Sequence, residues 1–181
     1  MRRIIVMFFV ALSVMIFGGS TIVTADETNN DYPFVKAHRL YQPQTGEHRY
    51  VANIYLLGEF IENGWQIENG GLLFTINQEK YLPRQHLYTL YNLQTNDILY
   101  TSNETEVQYL TTRGNVWQIY YPSDLPMRIL DCDCGIPVYR LYNPNSVNGR
   151  HHFTAIVGER DLLIQAGWRY EGIAFYASGV E

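Results

Sequence analysis

The stretch Arg140-Leu141-Tyr142-Asn143-Pro144 is followed by Gly149-Arg150-His151-His152-Phe153 and then by Gly167-Trp168. The same order of motifs occurs twice earlier, around Tyr41 and around Tyr91. In every copy an aromatic residue lies 14 residues before a glycine, and the pairs are Tyr50 with Gly64, Tyr100 with Gly114, and Phe153 with Gly167. Such a repeat decides the architecture of a chain. We therefore predict three related units, at approximately residues 36–84, 85–135 and 136–181.

Each unit is predicted to open as a β-hairpin. A stretch rich in aromatic and branched residues predicts the first strand, Asn, Pro and Gly predict a tight turn, and a second strand follows. Apolar residues at helical spacing then predict a short helix. We place its caps near Asn53, Ser102 and Thr154 and its end at Gly64, Gly114 and Gly167. A third strand should follow, with a fourth at 72–74 and 173–176.

These elements predict an all-β fold with short helical insertions and about twelve strands. A β-trefoil-like arrangement of three pseudo-equivalent repeats is preferred, because a closed barrel leaves no exposed strand edge. A three-bladed propeller-like arrangement is the alternative. In either, Leu40, Leu90 and Leu141 should occupy corresponding buried positions.

The middle copy departs most from the other two. It has Leu93 in place of a proline, Ile98 in place of His48 and His151, and Asn115 in place of Trp65 and Trp168. If these histidines and tryptophans form a ligand pocket, the second pocket is degraded. If they are core residues, the middle copy has repacked.

The amino terminus has the features of a secretory signal peptide. Two arginines precede an uncharged apolar run, and small residues at Val23-Thr24-Ala25 offer a cleavage site. We predict a signal peptide at 1–25, a flexible leader at 26–34, and a single three-repeat β domain at 35–181. An uncleaved anchor is the alternative. A cleaved signal peptide predicts a secreted, extracellular protein that is not associated with the membrane. Attachment of the secreted protein to the cell surface is left open.

Charge and cysteine content exclude some functions. Loss of two arginines with the signal peptide changes the formal net charge from −5 to −7, which argues against nucleic acid as a partner. Cys132 and Cys134 flank Asp133, and a disulfide between them would close a small strained ring. No further thiol or imidazole ligands lie nearby for zinc. A structural or incidental role is therefore favoured over a redox role.

The third copy closely resembles a bacterial secreted repeat family of unassigned biochemical function. The resemblance is carried by residues 137–146, 149–154, 159–162 and 167–174, against family repeats that read approximately Tyr-Arg-Leu-Tyr-Asn-Pro, Gly-x-His-Phe-Tyr-Thr, Glu-Arg and Gly-Trp-x-x-Glu-Gly-Ile-Ala. It extends over nearly all of 36–178. It implies a β-trefoil-like, extracellular, carbohydrate-binding module, since members occur beside cell-wall lytic or glycan-cleaving domains.

Polar and aromatic residues at the turns are the candidate ligand-binding groups. Aromatic rings stack on the C–H faces of sugars, and imidazole, amide and carboxylate groups bond to hydroxyls. Packing at a hairpin end is the competing, and favoured, explanation for the two histidines. The candidates are Tyr41, Gln42, Glu47, His48, Tyr142, Asn143, Asn145 and His151.

Motifs for catalysis are missing from the sequence. It has no nucleophile elbow, no His-Glu-x-x-His and no phosphate-binding glycine loop. Carboxylates such as Glu47, Glu68, Glu159 and Glu171 could be paired for glycoside hydrolysis, but their repeated placement indicates structure. We predict no catalytic residues, no metal and no cofactor. The preferred function is a lectin-like module whose partner is a cell-wall or host glycan. The alternative is a protein-binding module, an inhibitor or an adhesion partner, that uses a loop such as 146–149 and has a cell-surface protein as its partner. A glycan-acting enzyme ranks last.

Overall fold

A computed structural model describes residues 34–75, 84–120, 128–147 and 150–180, all within the unit Asp31–Glu181. The predicted signal peptide and residues 26–33 of the predicted leader lie outside the described residues. The prediction of a strand-rich fold with short helices is confirmed. The described elements are β1 (Phe34–Gln42), β2 (Glu47–Val51), α1 (Ile54–Glu62), β3 (Gln66–Thr75), β4 (Arg84–His86), β5 (Tyr88–Asn92), β6 (Ile98–Thr101), α2 (Glu104–Thr112), β7 (Trp117–Ile119), β8 (Arg128–Leu130), β9 (Ile136–Tyr142), β10 (His151–Thr154), α3 (Val157–Gln165), β11 (Arg169–Ala177) and β12 (Gly179–Val180).

The three units share one local topology. In each, the first strand lies between its hairpin partner and the strand that follows the helix, giving the orders β2-β1-β3, β6-β5-β7 and β10-β9-β11. The hairpin register is the same throughout, because Tyr41 pairs with His48, Tyr91 with Ile98, and Tyr142 with His151. The repeat in the sequence is therefore a repeat of strand pairing.

Aromatic residues from the second strand of each unit meet in the core. The ring of Tyr100 lies 6.1 Å from that of Tyr50 and 5.1 Å from that of Phe153. The Tyr50 hydroxyl donates to the Phe153 carbonyl at 3.1 Å, and the Tyr50 backbone N–H donates to the Tyr100 hydroxyl at 3.0 Å. These bonds satisfy polar groups that burial would otherwise penalise. The predicted burial of Leu40, Leu90 and Leu141 is confirmed, since all three are fully buried.

The helices begin and end largely as the sequence indicates. Asn53 caps α1 by accepting from the backbone N–H groups of Tyr55 and Leu56. The predicted caps Ser102 and Thr154 are wrong: Asn103 caps α2 in the same way as Asn53, and α3 follows Ile156, whose side chain makes no capping bond. The glycines predicted to end the helices adopt positive φ, with values of 83° at Gly64, 74° at Gly114 and 91° at Gly167.

The predicted third and fourth strands are one strand in the first and third units. β3 and β11 run without a break, and their pairing with β1 and β9 shifts register at bulges. Gly70 and Gly172 have φ of 104° and 103° at these bulges. A bulge bends a strand without ending it, so sequence signals for two strands correspond to two arms of a bent one.

The middle unit retains the tryptophan that the sequence comparison counted as lost. Tyr41 pairs with Gln66 and Tyr142 with Arg169, each directly after the tryptophan of that unit, and Tyr91 pairs with Gln118. Trp117 therefore occupies the position of Trp65 and Trp168. Two extra residues follow Gly114, and one of them, Asn115, has a φ of 52°. The expectation that Asn115 replaces the tryptophan is wrong.

Short strands connect the units. β8 pairs with β3, β4 and β11, and the carboxyl-terminal β12 pairs with β3 of the first unit. Among the described residues neither sheet closes on itself. Cys132 and Cys134 form a disulfide in the loop after β8, contrary to the expectation that ring strain disfavours this bond. No helix in the described part of the chain is long and apolar enough to cross a membrane.

Candidate inter-unit binding sites

A buried arginine of the first unit bonds to a helix of the third. Arg39 on β1 is nearly fully buried. Its Nη1 lies 2.7 Å from Oε2 of Glu159 on α3, and its Nε lies 3.1 Å from Oε2 of Glu68 on β3. A buried charge needs such partners, because desolvation of an unpaired ion is costly. The contact between the first and third units is therefore built around one cation and two carboxylates.

Two histidines complete this first cluster. The rings of His48 and His152 lie edge to face with centroids 4.4 Å apart. His152 Nε2 lies 3.3 Å from Glu159 Oε1, and His48 Nε2 lies 3.3 Å from Glu68 Oε2. The pKa of His48 is lowered to about 3 by burial, with repulsion from His152 and Arg39 adding to it. Burial opposes ionisation of Glu159, but hydrogen bonds from His152, Arg39 and Thr154 outweigh it and hold its pKa well below the usual range.

A groove of about 530 Å³ opens over this cluster. Its polar residues are the ion-paired Arg39, Glu68 and Glu159, and its other lining residues are aliphatic. Leu162 on α3 is 66% exposed, and Ile67 and Ile156 are also exposed. The groove thus combines carboxylate acceptors and a guanidinium donor with exposed apolar side chains.

The second and third units meet around a matching cluster. Arg140 on β9 corresponds to Arg39, and its Nη1 lies 3.0 Å from Oε1 of Glu106 on α2. Its Nε lies 3.0 Å from Oε2 of Glu171 on β11. Glu106 and Glu159 are both the third residue of their helices. The same three charges are therefore placed by the same elements at two interfaces between units.

His151 is held by carboxylates in this second cluster. Its Nδ1 lies 2.7 Å from Oδ2 of the buried Asp97, and its Nε2 lies 3.5 Å from Glu171 Oε2. Asp97 Oδ1 also accepts from the His151 backbone N–H at 2.9 Å. Burial opposes protonation of the imidazole, but its bonds to Asp97 and Glu171 raise the pKa of His151. The hydrogen bond from His151 lowers the pKa of Glu171, although burial alone would raise it.

The corresponding positions in the first and second units carry no charge. Thr89 on β5 stands where the other units have arginine. Leu56, the third residue of α1, stands where the other helices have Glu106 and Glu159. Tyr120, whose backbone N–H donates to the Thr89 carbonyl at 2.8 Å, follows β7 at the position of Glu68. The charged cluster is therefore a feature of two interfaces and not of the third.

The predicted histidines belong to the two clusters, and the predicted tyrosines lie beside them. Tyr41 stacks near His48, with ring centroids 4.9 Å apart, and Tyr142 near His151 at 5.3 Å. Both tyrosines are half-buried. The Tyr142 hydroxyl accepts from Arg150 at 3.1 Å. The two histidines are thus engaged by protein groups, as their placement at hairpin ends indicates.

The predicted polar candidates serve the turns. The side-chain oxygens of Gln42 and Asn143 accept from backbone N–H groups two residues further on, at 3.3 Å from Gln44 and at 3.0 Å from Asn145. Glu47 is buried, and burial raises its pKa. Of this set only Asn145 is exposed. The structure therefore brings Tyr41 and His48 together in one unit, and Tyr142 and His151 in another, and uses Gln42 and Asn143 to shape the turns.

Sequence reasoning noted the placement of Glu68, Glu159 and Glu171 as structural, but it missed the arginines that hold the clusters together. Arg39 and Arg140 precede the repeated Leu-Tyr pair, and Glu68 and Glu171 both lie four residues after the helix-ending glycine. This shared placement was a usable signal. Contact with Glu159 and Glu106 was not predictable, because it joins different units.

Within the described ranges no group of three or more histidine, cysteine, aspartate or glutamate side chains is arranged to hold a metal ion. Arg39 and Arg140 supply a positive charge that each cluster places between two carboxylates.

Comparison with known proteins places the repeat region in a family. No curated protein and no solved structure matches the chain. Residues 36–178 match a family described as a domain of unknown function, DUF5648. This range begins in β1, ends directly before β12, and includes all three units and both charged clusters. The chain therefore belongs to the DUF5648 family.

Proposed function

We propose that this protein is a secreted, non-catalytic, lectin-like module that binds cell-wall or host glycans. The observation that carries the proposal is the groove over Arg39, Glu68 and Glu159. Carboxylates accept hydrogen bonds from sugar hydroxyls, and a guanidinium donates to ring and hydroxyl oxygens. The aliphatic side chains of Ile67, Ile156 and Leu162 are available to pack against sugar C–H groups.

The cluster suits binding better than hydrolysis. A glycosidase needs one carboxylic acid that stays protonated near neutral pH. Glu159 has its pKa held low by His152, Arg39 and Thr154 despite burial, so it remains a carboxylate. Both carboxylates are also paired with Arg39. These features favour a fixed set of acceptors over an acid–base pair.

The repeated units support a pseudo-threefold arrangement within this proposal. Of the two arrangements that the sequence suggests, β-trefoil-like and three-bladed propeller-like, the strand orders favour the second. Each unit contains three antiparallel strands in the same order, with β8 joining those of the first and third units, and the second strands place Tyr50, Tyr100 and Phe153 in contact. Binding sites then fall between neighbouring blades, where the clusters lie.

A protein-binding module is the second candidate, favoured by a specific surface. Ile54 and Tyr55, at the start of α1, are 75% and 82% exposed. Two large apolar side chains side by side at this exposure are candidates for protein contact. The sequence instead suggested loop 146–149, of which Ser146 and the exposed Val147 are described.

Export, glycan binding and the two candidate surfaces can be tested together. N-terminal sequencing of the secreted form should give Asp26, and retention of residues 1–25 in a membrane fraction would favour the anchor. The secreted protein is then applied to a glycan array and to insoluble peptidoglycan. Leu162→Glu puts a charge in the groove, whereas Ile54→Glu puts the same charge on α1. Glycan binding that is lost in L162E and kept in I54E supports the proposal.

The opposite pattern would support the alternative. No glycan signal at high protein concentration, with recovery of a specific protein that I54E abolishes, would replace the lectin-like function by protein binding. Circular dichroism of both variants controls for unfolding. Both substitutions replace exposed helical residues, so little change in stability is expected.

A further inference from the structure

We infer that the interface between the second and third units is a second glycan site, in which Tyr109 and Tyr170 stack on pyranose rings. This inference rests on the proposed function and extends it. One chain would then bind two glycan segments, one at each charged interface. The inference also assigns the ligand class, which is neutral or amino-bearing pyranose glycan.

The first step is the equivalence of the two interfaces. Arg140 bonds to a helix glutamate and to a strand glutamate, as Arg39 does. All four contacts are between 2.7 and 3.1 Å. The helix glutamates occupy the same position after the cap, and the strand glutamates the same position after the glycine. We therefore expect the residues that line the groove at the first interface to have counterparts at the second.

The second step is what replaces the aliphatic groove residues. Leu162 is the third residue after Glu159 on α3, and the third residue after Glu106 on α2 is Tyr109. Ile67 directly precedes Glu68, and Tyr170 directly precedes Glu171. Residues three apart on a helix are neighbours on its surface, so Tyr109 lies beside the glutamate that bonds Arg140. The second interface thus has two tyrosines where the first has leucine and isoleucine.

The third step is the availability of the two rings. Tyr109 is 53% exposed and Tyr170 is 42% exposed. The Arg113 guanidinium lies 4.2 Å from the Tyr109 ring centroid, and its Nη1 donates to the hydroxyl at 3.1 Å. These contacts orient the ring and leave about half of the side chain in solvent. An oriented, exposed aromatic ring beside partly exposed carboxylate acceptors is suited to the C–H face of a pyranose.

Charge sets the ligand class. Arg140 and His151 stand against three carboxylates in the second cluster, those of Asp97, Glu106 and Glu171. Arg39 faces two carboxylates in the first. The whole chain also carries a formal net charge of −5. Uronic acids and other anionic sugars are therefore disfavoured at both sites, whereas hydroxyl and ammonium groups find acceptors.

The third interface supplies the internal control. Thr89, Leu56 and Tyr120 replace the arginine and both glutamates there, and Glu59 stands at the helix position of Leu162 and Tyr109. Glu59 is exposed. Substitution of Glu59 therefore tests whether any change at this position of a helix alters binding, whether or not a charged cluster lies beside it.

The experiment is calorimetric titration of the secreted protein with three probes of equal length. They are a hexamer of N-acetylglucosamine, its de-N-acetylated form, and a hexamer of galacturonic acid. We expect close to two molecules of the first two probes per chain and none of the third. Tyr109→Ala and Tyr170→Ala should each abolish one of the two binding events or weaken it roughly tenfold. Tyr109→Phe should retain both, because it keeps the ring.

The outcomes separate this inference from the function on which it rests. Unchanged binding in Y109A and Y170A, with binding lost in L162E, would overturn the second site and leave the first. No binding of the neutral or amino probe would overturn the second site and its ligand class, whereas only the absence of any signal on the glycan array and on peptidoglycan would overturn the proposed function. Preference for the galacturonate hexamer would overturn the ligand class. An effect of Glu59→Ala equal to that of Y109A would also overturn the second site, because it would show that the helix position alone matters.

Discussion

Lowering the pH should destabilise the protein through His48 in particular. This imidazole is held neutral in the first cluster, where burial, His152 and Arg39 lower its pKa to about 3. In the unfolded chain the pKa returns to about 6.5. The folded protein therefore binds fewer protons than the unfolded chain between these values, and stability falls as the pH falls through this window.

The size of the effect follows from the two pKa values. At pH 7.5 His48 is largely neutral in both states. At pH 5 it is protonated in the unfolded chain and still neutral in the folded protein. The pKa of the imidazole in the unfolded chain lies about 1.5 units above pH 5, and protonation of the unfolded chain therefore lowers the free energy of unfolding by about 2 kcal/mol. The groups that face His48 are Tyr41, Glu68 and His152, with Arg39 and Glu159 close enough to act on its charge.

Urea denaturation at pH 7.5 and pH 5 measures this effect directly. The His48→Gln variant, which carries no titrating group, is the comparison. The loss of unfolding free energy between the two pH values should be about 2 kcal/mol smaller in H48Q than in the natural protein. The difference removes the contributions of other groups, among them His151, whose raised pKa acts in the opposite direction. Equal losses in the two proteins would refute a buried, neutral His48.

Three further predictions concern stability, each measured by urea denaturation. Trp65→Ala should cost about 3–5 kcal/mol, because the ring packs against Phe60 at 5.1 Å in a buried cluster; a cost below about 1 kcal/mol would contradict a core role. Gly135→Ala should cost about 1–3 kcal/mol, because an added Cβ would lie 2.4 Å from the Ala177 carbonyl oxygen, whereas Gly158→Ala in open space on α3 should not destabilise. Asn103→Ala should cost about 1 kcal/mol through loss of the α2 cap, and a similar loss from Ser102→Ala would show that the cap is misassigned.

Local elements of the fold were largely predictable. Hairpins, helices and helix-ending glycines follow from residues close together in sequence, such as the turn residues at 42–46 and the positive φ at Gly64. Errors arose where a local pattern has two structural solutions. Gly172 separates residues 169–171 from the apolar stretch 173–176, a pattern that suits either two strands or one bulged strand, and backbone pairing with β9 decides for the bulge. Asn115 occupies the tryptophan position by counting, and only strand register shows that Trp117 holds it.

The candidate sites were predictable only in part. Sequence reasoning chose Tyr41, His48, Tyr142 and His151, which do lie in or beside the two charged clusters. It missed Arg39 and Arg140 as the centres of those clusters. Each directly precedes a buried leucine on its strand, and one of its two carboxylate partners lies on a helix of another unit. A charged residue at such a position in a strand is predicted to be exposed to solvent until the structure shows that it is buried.

The sequence by itself determined the threefold repeat and the order of strands and helices within each unit. These depend on local conformational preferences and on spacings that any copy of the unit shares. Tertiary structure alone decided that Arg39 meets Glu159 and that Arg140 meets Glu106, at separations of 120 and 34 residues. Nothing in the local pattern encodes those distances. They arise because neighbouring units bury their edges against each other, and a buried arginine is stable only where packing brings carboxylates to it.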